Sequence, residues 1–435
     1  MDKATSERVG GCVKAASAAR TITPTGEFFP CYLMGHAIRT DLATGVLDDL
    51  WATALVLDVE DVRAVFVSVE LIGLERDYTD RLRAQIAGRC AADIDAVHID
   101  FVHTHAAPEY QEVSLFGGSE RGARPGYMAW VAEQILGAVD DALAHGLVPV
   151  EAFGSRVEVE GFYSNRNGLD KPSDQEVSFF ELRGADGAAV AAGFSFACHS
   201  TVLGPQNLEV SGDLAGYLAR GLQKRLGVRP VCMIGAAGDM SNRLHRQGND
   251  AAELERVGKG VLACLPERAT EPLALHAPVC RRFGFGRVFH PDKEQKRAQY
   301  EETKRRVETA QTFDEHKVFS SALRIAELGL AAKPFDMDVI CTLIDMGDLR
   351  FFTVPAELFS RFGVEIKRAL AARLPICWCY CDYNVGYLGN REDYGASFET
   401  SASDIPAGTT EEFVADAVSF IKHALTADSD ASDKE

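Results

Sequence analysis

The chain has 435 residues, of which 46% are hydrophobic and 25% charged, enough for one large domain or for about three of roughly 150 residues. Its 45 Lys and Arg against 64 Asp and Glu give a net charge of -19, which argues against a nucleic-acid-binding protein or one permanently docked on anionic membranes, because both need a basic surface. The eleven cysteines are scattered, and neither a secretory leader nor an apolar run of about 18 residues is present, so we expect reduced thiols, no stable membrane insertion and a cytoplasmic location.

The domain organisation is predicted to be simple. No internal repeat or low-complexity linker divides the chain. We expect one α/β domain over residues 21–425, with mixed β-sheets flanked by helices. Residues 1–20 are predicted to be an N-terminal extension, and residues 426–435 an acidic, disordered tail.

The predicted elements alternate between strands and helices. Apolar, β-branched runs at 50–59 and 64–71 flank an acidic turn, which is typical of a hairpin. A helix is predicted over 76–87 and an amphipathic one over 127–145, because their apolar residues recur every three or four positions. Further strands are predicted at 97–102, 150–162, 177–182, 189–197, 231–234, 339–346, 349–354 and 376–380, and further helices at 213–226 (with an aspartate N-cap), 249–265, 293–312, 365–374 and 411–425.

Two histidines follow the strand predicted over 97–102. Side chains alternate along a strand, so Ile99, His103 and His105 are expected to point the same way. Two imidazoles would then lie side by side at the strand end, and neutral imidazole is the commonest metal ligand and general base at neutral pH. A pair of surface histidines at a strand end fits the same pattern, because an H-x-H motif does not show whether a full set of metal ligands is present.

Other polar residues also come directly after predicted strands. His199 follows one strand, Gly238 to Ser241 follow another, Glu357 follows a third, and Tyr387 stands in a late glycine-containing loop. Two or three histidines with one carboxylate make up the ligand set of a catalytic zinc, and other divalent metals accept the same donors. Taken singly, His199 also fits a core histidine, Glu357 a helix N-terminal acid and Tyr387 a packing residue.

Three cysteines, Cys377, Cys379 and Cys381, share one face of the strand predicted at 376–380 and its end. Free cysteine is among the most buried residue types, so we interpret them as core side chains, with metal binding as the alternative.

The ordered set of segments resembles the N-terminal catalytic domain of the neutral (non-lysosomal) ceramidase family, zinc-dependent amidases that cleave the N-acyl bond of ceramide. The resemblance runs from about residue 20 to about residue 400. The segments that carry it are Ile22-Thr23-Pro24, Gly35 to Arg39, His103 to Pro108, Asn165-Arg166, His199-Ser200-Thr201, Ser211-Gly212-Asp213 with Gly216-Tyr217, Gly235 to Asn242, Pro355-Ala356-Glu357 and Gly386-Tyr387 to Tyr394.

The resemblance implies one Zn²⁺ ion per chain, or another divalent metal, and a metal-bound water that attacks the substrate carbonyl. It implies four ligands: His103, His199, Glu357 and Tyr387. His105 would lie beside the metal and transfer a proton, and Arg166 would bind polar groups of the substrate, so that His105, Arg166 and Tyr387 form the catalytic set. Ser241 matches a serine once regarded as a nucleophile in the family, and a backbone or packing role is predicted for it here.

Two positions depart from the family pattern, and both are predicted to contact substrate. Glu109 follows the second histidine and would place a carboxylate near the mouth of the pocket. Phe398 stands where a tyrosine is common in the family. Together with the absence of a leader and the early end of the chain, these differences predict a small soluble amide rather than membrane ceramide as substrate.

Two alternatives stay open at this point. The same metal site suits an ester or lactone, and the same fold suits a catalytically silent binding protein. A metal-free serine hydrolase using Ser200 or Ser241 is disfavoured, because neither serine lies in a G-x-S-x-G turn. The expected partner is therefore a small-molecule amide or ester, with no nucleic acid, and the oligomeric state is left open.

Overall fold

The computed structural model of the protein describes residues 12–401 and 403–432. Within these ranges the β-strands, in chain order, are β1 (Val13–Thr21), β2 (Gly45–Val46), β3 (Trp51–Val59), β4 (Val62–Val69), β5 (Val97–Phe101), β6 (Val148–Pro149), β7 (Glu151–Glu158), β8 (Ser164–Asn165), β9 (Glu176–Arg183), β10 (Ala189–Phe196), β11 (Glu209–Val210), β12 (Val231–Ile234), β13 (Met240–Ser241), β14 (Glu271–Leu273), β15 (Leu275–Phe289), β16 (Phe335–Gly347), β17 (Leu349–Val354), β18 (Glu357–Leu358), β19 (Leu374–Cys379) and β20 (Tyr387–Leu388). The α-helices are α1 (Arg76–Cys90), α2 (Tyr127–His145), α3 (Asp213–Leu226), α4 (Ala251–Cys264), α5 (Lys293–Thr309), α6 (Phe313–Gly329), α7 (Ser360–Leu370), α8 (Phe398–Ser401) and α9 (Thr409–Ser432).

Three larger sheets form the body of the protein. Their strand orders are β5-β4-β3-β1-β6, β12-β10-β9-β7-β14 and β15-β16-β17-β19. Each sheet contains one parallel pair, β4/β5, β10/β12 and β17/β19, and is otherwise antiparallel. The short pairs β2/β11, β8/β13 and β18/β20 join the loops that follow these strands. This architecture confirms the predicted α/β class with mixed sheets.

The three sheets share one apolar core. Phe66 of the first sheet contacts Phe351 and Trp378 of the third, with ring centroids 5.1 and 5.5 Å away, and residues of the second sheet complete the cluster. Helices cover the outer faces: α2 lies on β1 and β3, α3 packs between α4 and β12, and α7 lies on β17 and β19. Burial of these large apolar side chains supplies most of the driving force for folding.

Several predicted elements are confirmed by their local geometry. The hairpin β3/β4 turns at Glu60 and Asp61, which both have positive φ, as the two-residue turn that suits strand twist requires. Helix α2 has the predicted bounds. Asp213 begins α3 but is not its N-cap: its carboxylate accepts hydrogen bonds from the backbone of Val202 (3.1 Å) and Leu203 (2.9 Å) instead.

Both ends of the predicted domain differ in the structure. Strand β1 pairs with β3 from Val13 to Thr21, so residues 13–20 belong to the first sheet and not to an extension. Helix α9 continues to Ser432, so most of the segment predicted to be a disordered tail from Thr426 is helical. The predictions for residues 1–11 and 433–435 lie outside the described residues.

A helical hairpin, α5 and α6, connects the long strands β15 and β16. Helix α5 is charged and solvated, as predicted. Helix α6 was not predicted, although its start carries a capping box formed by Thr312 and Glu315. It reaches the loop after β5, where Arg324 Nε donates to the Leu115 carbonyl (3.0 Å).

Two further findings concern the whole described chain. Among residues 12–401 and 403–432, no helix has the length and hydrophobicity needed to cross a membrane. All eleven cysteines lie in these ranges and are free thiols.

Candidate active site

The carboxyl ends of the parallel pairs meet at one place, where the three sheets converge. Strand β5 ends two residues before His103. Strand β10 ends three residues before His199, and β17 ends three residues before Glu357. The ring centroids of His103 and His199 are 4.9 Å apart, and Glu357 contacts both rings. Strand ends bring these side chains together because parallel neighbours open their loops on the same side.

His103 and His105 lie side by side, with ring centroids 5.0 Å apart, but not through strand alternation. Strand β5 ends at Phe101, and His103 has a φ of +56°, in the left-handed region that non-glycine residues seldom adopt. Its amide donates to the Leu71 carbonyl (3.0 Å). The predicted proximity is therefore correct, and a tight left-handed turn produces it.

The two imidazoles of His103 and His199 are held in one tautomer. His103 Nδ1 lies 2.7 Å from the Ile72 carbonyl, and His199 Nδ1 lies 2.7 Å from the Ala237 carbonyl. A carbonyl only accepts hydrogen bonds, so both Nδ1 atoms carry the proton and both Nε2 atoms present a lone pair. These Nε2 atoms lie 3.5 and 3.1 Å from one oxygen, Glu357 Oε2. Three electron-rich atoms thus converge, an arrangement that a cation stabilises.

His105 adds a third nitrogen. Its Nδ1 contacts the Gly35 carbonyl (3.0 Å), while its Nε2 is buried and has no hydrogen-bond partner among residues 12–401 and 403–432. Its ring centroid lies 5.9 Å from that of His199. Ligand atoms of His103, His105 and His199 all lie within 4.8 Å of one another. Neutral imidazoles grouped beside a carboxylate fit zinc or another divalent ion, with His103, His199 and Glu357 as the convergent donors and His105 next to them.

Glu357 and Tyr387 are opposite each other in the parallel pair β18/β20. The Tyr387 ring stacks on His199 with centroids 6.3 Å apart and an interplanar angle of 13°. Its hydroxyl accepts a hydrogen bond from Arg166 Nη2 (3.3 Å). The other Glu357 oxygen, Oε1, accepts from Asn384 Nδ2 (3.3 Å). The short strand pair therefore fixes both side chains at the site.

The charge states at the site follow from burial and from its neighbours. Burial would raise the pKa of Glu357, but His103 and His199 outweigh it and lower this pKa to about 2. Burial, followed by the charge of Arg166, lowers the pKa of His199 to about 4. Burial and the carboxylate of Glu357 raise the pKa of Tyr387. At neutral pH the site thus presents neutral imidazoles, an ionised carboxylate and a neutral phenol.

Arg166 is fixed by contacts on three sides. Its Nη2 donates to the Gly238 carbonyl (2.7 Å), and its Nε forms an ion pair with Glu399 Oε1 (2.5 Å), both side chains being buried. Its own amide donates to the carbonyl of Asp239 (2.7 Å). A guanidinium held this way offers its donors to a ligand at little further cost in conformational entropy.

A cavity of about 310 Å³ opens above these residues. It is lined by the predicted site residues His103, His105, Arg166, His199, Glu357, Tyr387 and Phe398, and also by Ser241. Ser241 Oγ accepts a hydrogen bond from the Arg243 amide (3.2 Å). Apolar side chains of α6 and of the loop after β5, Val318, Ile325, Leu115 and Phe116, form much of the remaining wall.

The substrate contact predicted for Glu109 does not fit this geometry. Glu109 is buried and is not part of the cavity wall. Its Oε1 accepts hydrogen bonds from the backbone amides of Tyr110 (3.0 Å) and Gln111 (3.1 Å). The carboxylate therefore stabilises the loop, whose next two residues, Tyr110 and Gln111, face the cavity instead.

Some residues at the cavity were not predicted from the sequence. They are His36 from the opening loop, Arg243 and Arg246 after β13, and Lys317 of α6. His36 lies against His105, with ring centroids 5.2 Å apart. The one sequence signal for α6 is its capping box followed by apolar residues at helical spacing. His36 lies in the segment Gly35 to Arg39, which carries part of the family resemblance, but nothing in the sequence assigned that histidine to the cavity.

A second polar group consists of His98, Cys381 and Asp382, of which His98 and Asp382 are paired with each other. His98 Nδ1 contacts Asp382 Oδ2 (2.9 Å), and Asp382 Oδ1 accepts from the Ile99 amide (3.0 Å). Cys377 and Cys379 are buried, with sulfur atoms 3.8 Å apart. These contacts fit a structural role.

Comparison with known proteins shows the fold. The neutral ceramidase from Pseudomonas aeruginosa superposes with a TM-score of 0.69 at 17% sequence identity, over 95% of this chain and 75% of that one. A ceramidase complexed with C2 superposes with a TM-score of 0.68, also at 17% identity, over 95% of this chain and 76% of the other. No protein-family model and no curated protein sequence matches. The chain thus has the neutral ceramidase fold.

Proposed function

We propose that the protein is a metal-dependent hydrolase of a carboxamide bond, with one Zn²⁺ ion per chain and a small soluble N-acyl compound as its substrate. The observation that carries the proposal is the convergence of two imidazole lone pairs and a carboxylate oxygen. His199 Nε2 and Glu357 Oε2 are 3.1 Å apart although the proton of the ring is on Nδ1. Such a contact between acceptors is repulsive unless a cation lies between them.

The proposed metal ligands are His103, His199, Glu357 and Tyr387. A bound zinc ion would lower the pKa of water and polarise a carbonyl, which is what amide hydrolysis needs. The hydrogen bonds from both Nδ1 atoms to backbone carbonyls orient the imidazoles for such a role. Mn²⁺ or another divalent ion would use the same donors and is the alternative for the ion.

The remaining site residues supply proton transfer and orientation. Within the described part of the chain, His105 Nε2 is buried and has no hydrogen-bond partner, so it can take a proton and deliver it to the leaving nitrogen. Arg166 and the Tyr387 hydroxyl, hydrogen-bonded to each other, face the same cavity and can stabilise negative charge on the carbonyl oxygen. Apolar side chains of α6 and of the loop after β5 line the other walls of this cavity.

The cavity supports a small substrate. Its volume of about 310 Å³ is at the lower end for small-molecule sites, and its walls mix apolar side chains with a few polar groups. An amide with a short acyl chain fits such a site. We also propose that the protein acts in the cytoplasm.

The proposal is tested by loading the protein with zinc and measuring hydrolysis of a panel of N-acyl amides and the matching esters. We expect turnover that a chelator abolishes and that added zinc restores. Turnover that survives complete removal of the metal, or a metal-loaded protein inactive on the whole panel, would contradict the proposal, and the second result would favour the silent binding protein.

Replacing His105 with glutamine is expected to slow amide hydrolysis more than ester hydrolysis. An amide nitrogen leaves only with a proton, whereas an alkoxide leaves more easily, and general acid catalysis contributes about 10²- to 10⁴-fold. The measurement is kcat/KM on an amide and an ester that share one acyl group. Equal losses of kcat/KM on the amide and the ester would contradict the proton-transfer role of His105.

Replacing Gly35 with alanine is expected to lower amide kcat/KM on the order of 10²-fold, the usual effect of displacing a catalytic group by about 1 Å. A Cβ at position 35 would lie 2.4 Å from His105 Nδ1, so the His105 ring would have to move. The φ of Gly35, +108°, also disfavours any residue with a side chain. Gly26→Ala is the matched control, because Gly26 also has positive φ (+57°) but open space around it. A similar effect of both variants would argue against a specific effect on His105.

A further inference from the structure

We propose that Ile325 and Phe398 set the length of the acyl chain that the active site accepts, because they stand between the active-site cavity and a second, neighbouring cavity. Smaller side chains at these two positions are expected to join the cavities and to admit longer acyl chains. The inference rests on the proposed function and names the feature of the substrate that the same site selects.

The second cavity has a volume of about 340 Å³ and adjoins the active-site cavity of about 310 Å³. Four residues line both cavities and therefore form the partition between them: Ile325, Glu357, Tyr387 and Phe398. Glu357 and Tyr387 are proposed metal ligands. Ile325 and Phe398 are thus the two members of the partition that can be changed without removing a proposed ligand.

The partition lies directly beside the proposed metal ligands. Ile325 belongs to α6 and Phe398 begins α8, and these two helices pack against each other. The Phe398 ring meets the Tyr387 ring edge-on, with centroids 6.1 Å apart and an interplanar angle of 78°. Tyr387 in turn stacks on His199. An acyl chain that leaves the reacting carbonyl on this side therefore meets Phe398 and Ile325 within a short distance.

The second cavity suits an apolar chain. Besides the partition, the apolar residues of its wall are Phe335, Val385 and Ile405. Its other carboxylates already have partners, since Glu399 forms an ion pair with Arg166 and Asp404 forms one with Lys296. A charged ligand would have to compete with these ion pairs, whereas a hydrocarbon chain is stabilised simply by the apolar surface that it buries.

The position of His105 indicates that the acyl part of the substrate faces the partition. His105 lines the active-site cavity, is not among the described residues that line the second one, and has its ring centroid 5.2 Å from that of His36. Because His105 is proposed to deliver a proton to the leaving nitrogen, the amine part lies on the His105 side of the scissile bond. The acyl chain then extends from the carbonyl carbon towards Tyr387 and the partition.

The test uses a series of N-acyl amides with one amine and linear acyl chains of increasing length. For the wild type, kcat/KM should rise to a limiting chain length and then fall. Ile325→Ala and Phe398→Ala should each move this limit to longer chains. One buried methylene corresponds to about 4-fold in binding, so a chain two carbons beyond the wild-type limit should gain on the order of 10-fold in kcat/KM, chiefly through KM.

Two further variants control for the general effects of a smaller side chain. Val318→Ala is the matched control, because Val318 also lies on α6 and lines the active-site cavity but is not among the described residues of the second. It should keep the wild-type limit. Phe335→Trp adds volume to a residue that lines the second cavity, so in the Ile325→Ala background it should reverse the gain. Circular dichroism checks that all variants are folded.

The outcomes separate this inference from the proposed function. An unchanged limit in both Ile325→Ala and Phe398→Ala, or the same shift in Val318→Ala, would overturn the inference and leave the amidase intact. A shift that appears only when the amine is lengthened would overturn the assignment of the acyl chain to this side. If the metal-loaded protein hydrolyses none of the amides, the proposed function fails, and calorimetry with the same amides decides: tighter binding of the longer chains by Ile325→Ala supports the partition, and unchanged or absent binding overturns it.

Discussion

The double variant His103→Ala, His199→Ala is expected to lose the bound metal and almost all hydrolytic activity. Wild-type protein should contain close to one zinc ion per chain, and the variant less than a tenth of that. A metal ion contributes several kcal/mol of transition-state stabilisation, so its loss should lower kcat/KM on the order of 10³-fold or more. Both changes follow from one cause, because the two Nε2 atoms and Glu357 Oε2 form the convergent donor set.

Elemental analysis by mass spectrometry on freshly purified protein measures the first effect. The matched control is His290→Ala, His423→Ala, which removes two exposed histidines and should keep the metal. Circular dichroism checks that both variants are folded. A stoichiometric metal other than zinc would keep the hydrolase and change the ion, whereas metal-free wild type, or a variant that retains metal, would contradict the proposed site.

Much of the fold could be predicted from the sequence because the signals were local. The β3/β4 hairpin and α2 are encoded by periodicity and by turn residues within each segment. His103 and His105 were found because they are neighbours in the chain. Even there the mechanism of their approach was missed, since the positive φ of His103 depends on its amide bonding to Leu71, a contact from another loop.

The parts that could not be predicted depend on long-range contacts. Glu109 is predicted from the sequence to face the pocket. In the structure its carboxylate instead accepts hydrogen bonds from two backbone amides of its own loop. His36 and Lys317 lie far from His105 in sequence, and only the packing of the opening loop and of α6 brings them to the cavity. Periodicity shows which face of an element is buried, but it does not show what that face contacts.

Neutralising Glu399 is expected to be the most destabilising single change at the site. Glu399 is fully shielded in α8 and forms an ion pair with Arg166 (2.5 Å), which is 7% exposed. The variant Glu399→Gln would leave a buried guanidinium without its counter-charge, and breaking a buried pair by removing one partner costs about 3–5 kcal/mol. Urea unfolding followed by circular dichroism measures the change in the free energy of unfolding. Glu392→Gln, at an exposed ion pair with Arg361, should cost less than about 1 kcal/mol.

The pH dependence of the difference in unfolding free energy between wild type and Glu399→Gln gives an independent check. Burial would raise the pKa of Glu399, but the charge of Arg166 outweighs it and holds this pKa below its usual value. The carboxylate therefore binds protons less readily in the folded than in the unfolded chain. Its contribution is fully present above the unfolded pKa of about 4.3 and is lost as the pH falls through the lower folded value. The wild type should thus lose its advantage over Glu399→Gln in acid, and an advantage that grew on acidification would contradict the ion pair.

A double-mutant cycle then separates the pair from the packing around it. Arg166→Met alone leaves the Glu399 carboxylate buried without its partner, so it should also be strongly destabilising, whereas Arg166→Met with Glu399→Gln removes both charges and should cost less than the sum of the single changes. Because Arg166 also contacts Tyr387, the stable double variant should still be a poor enzyme. Additive losses in stability would show that the two side chains are not coupled, and that Arg166 is positioned by Gly238 and Asp239 alone.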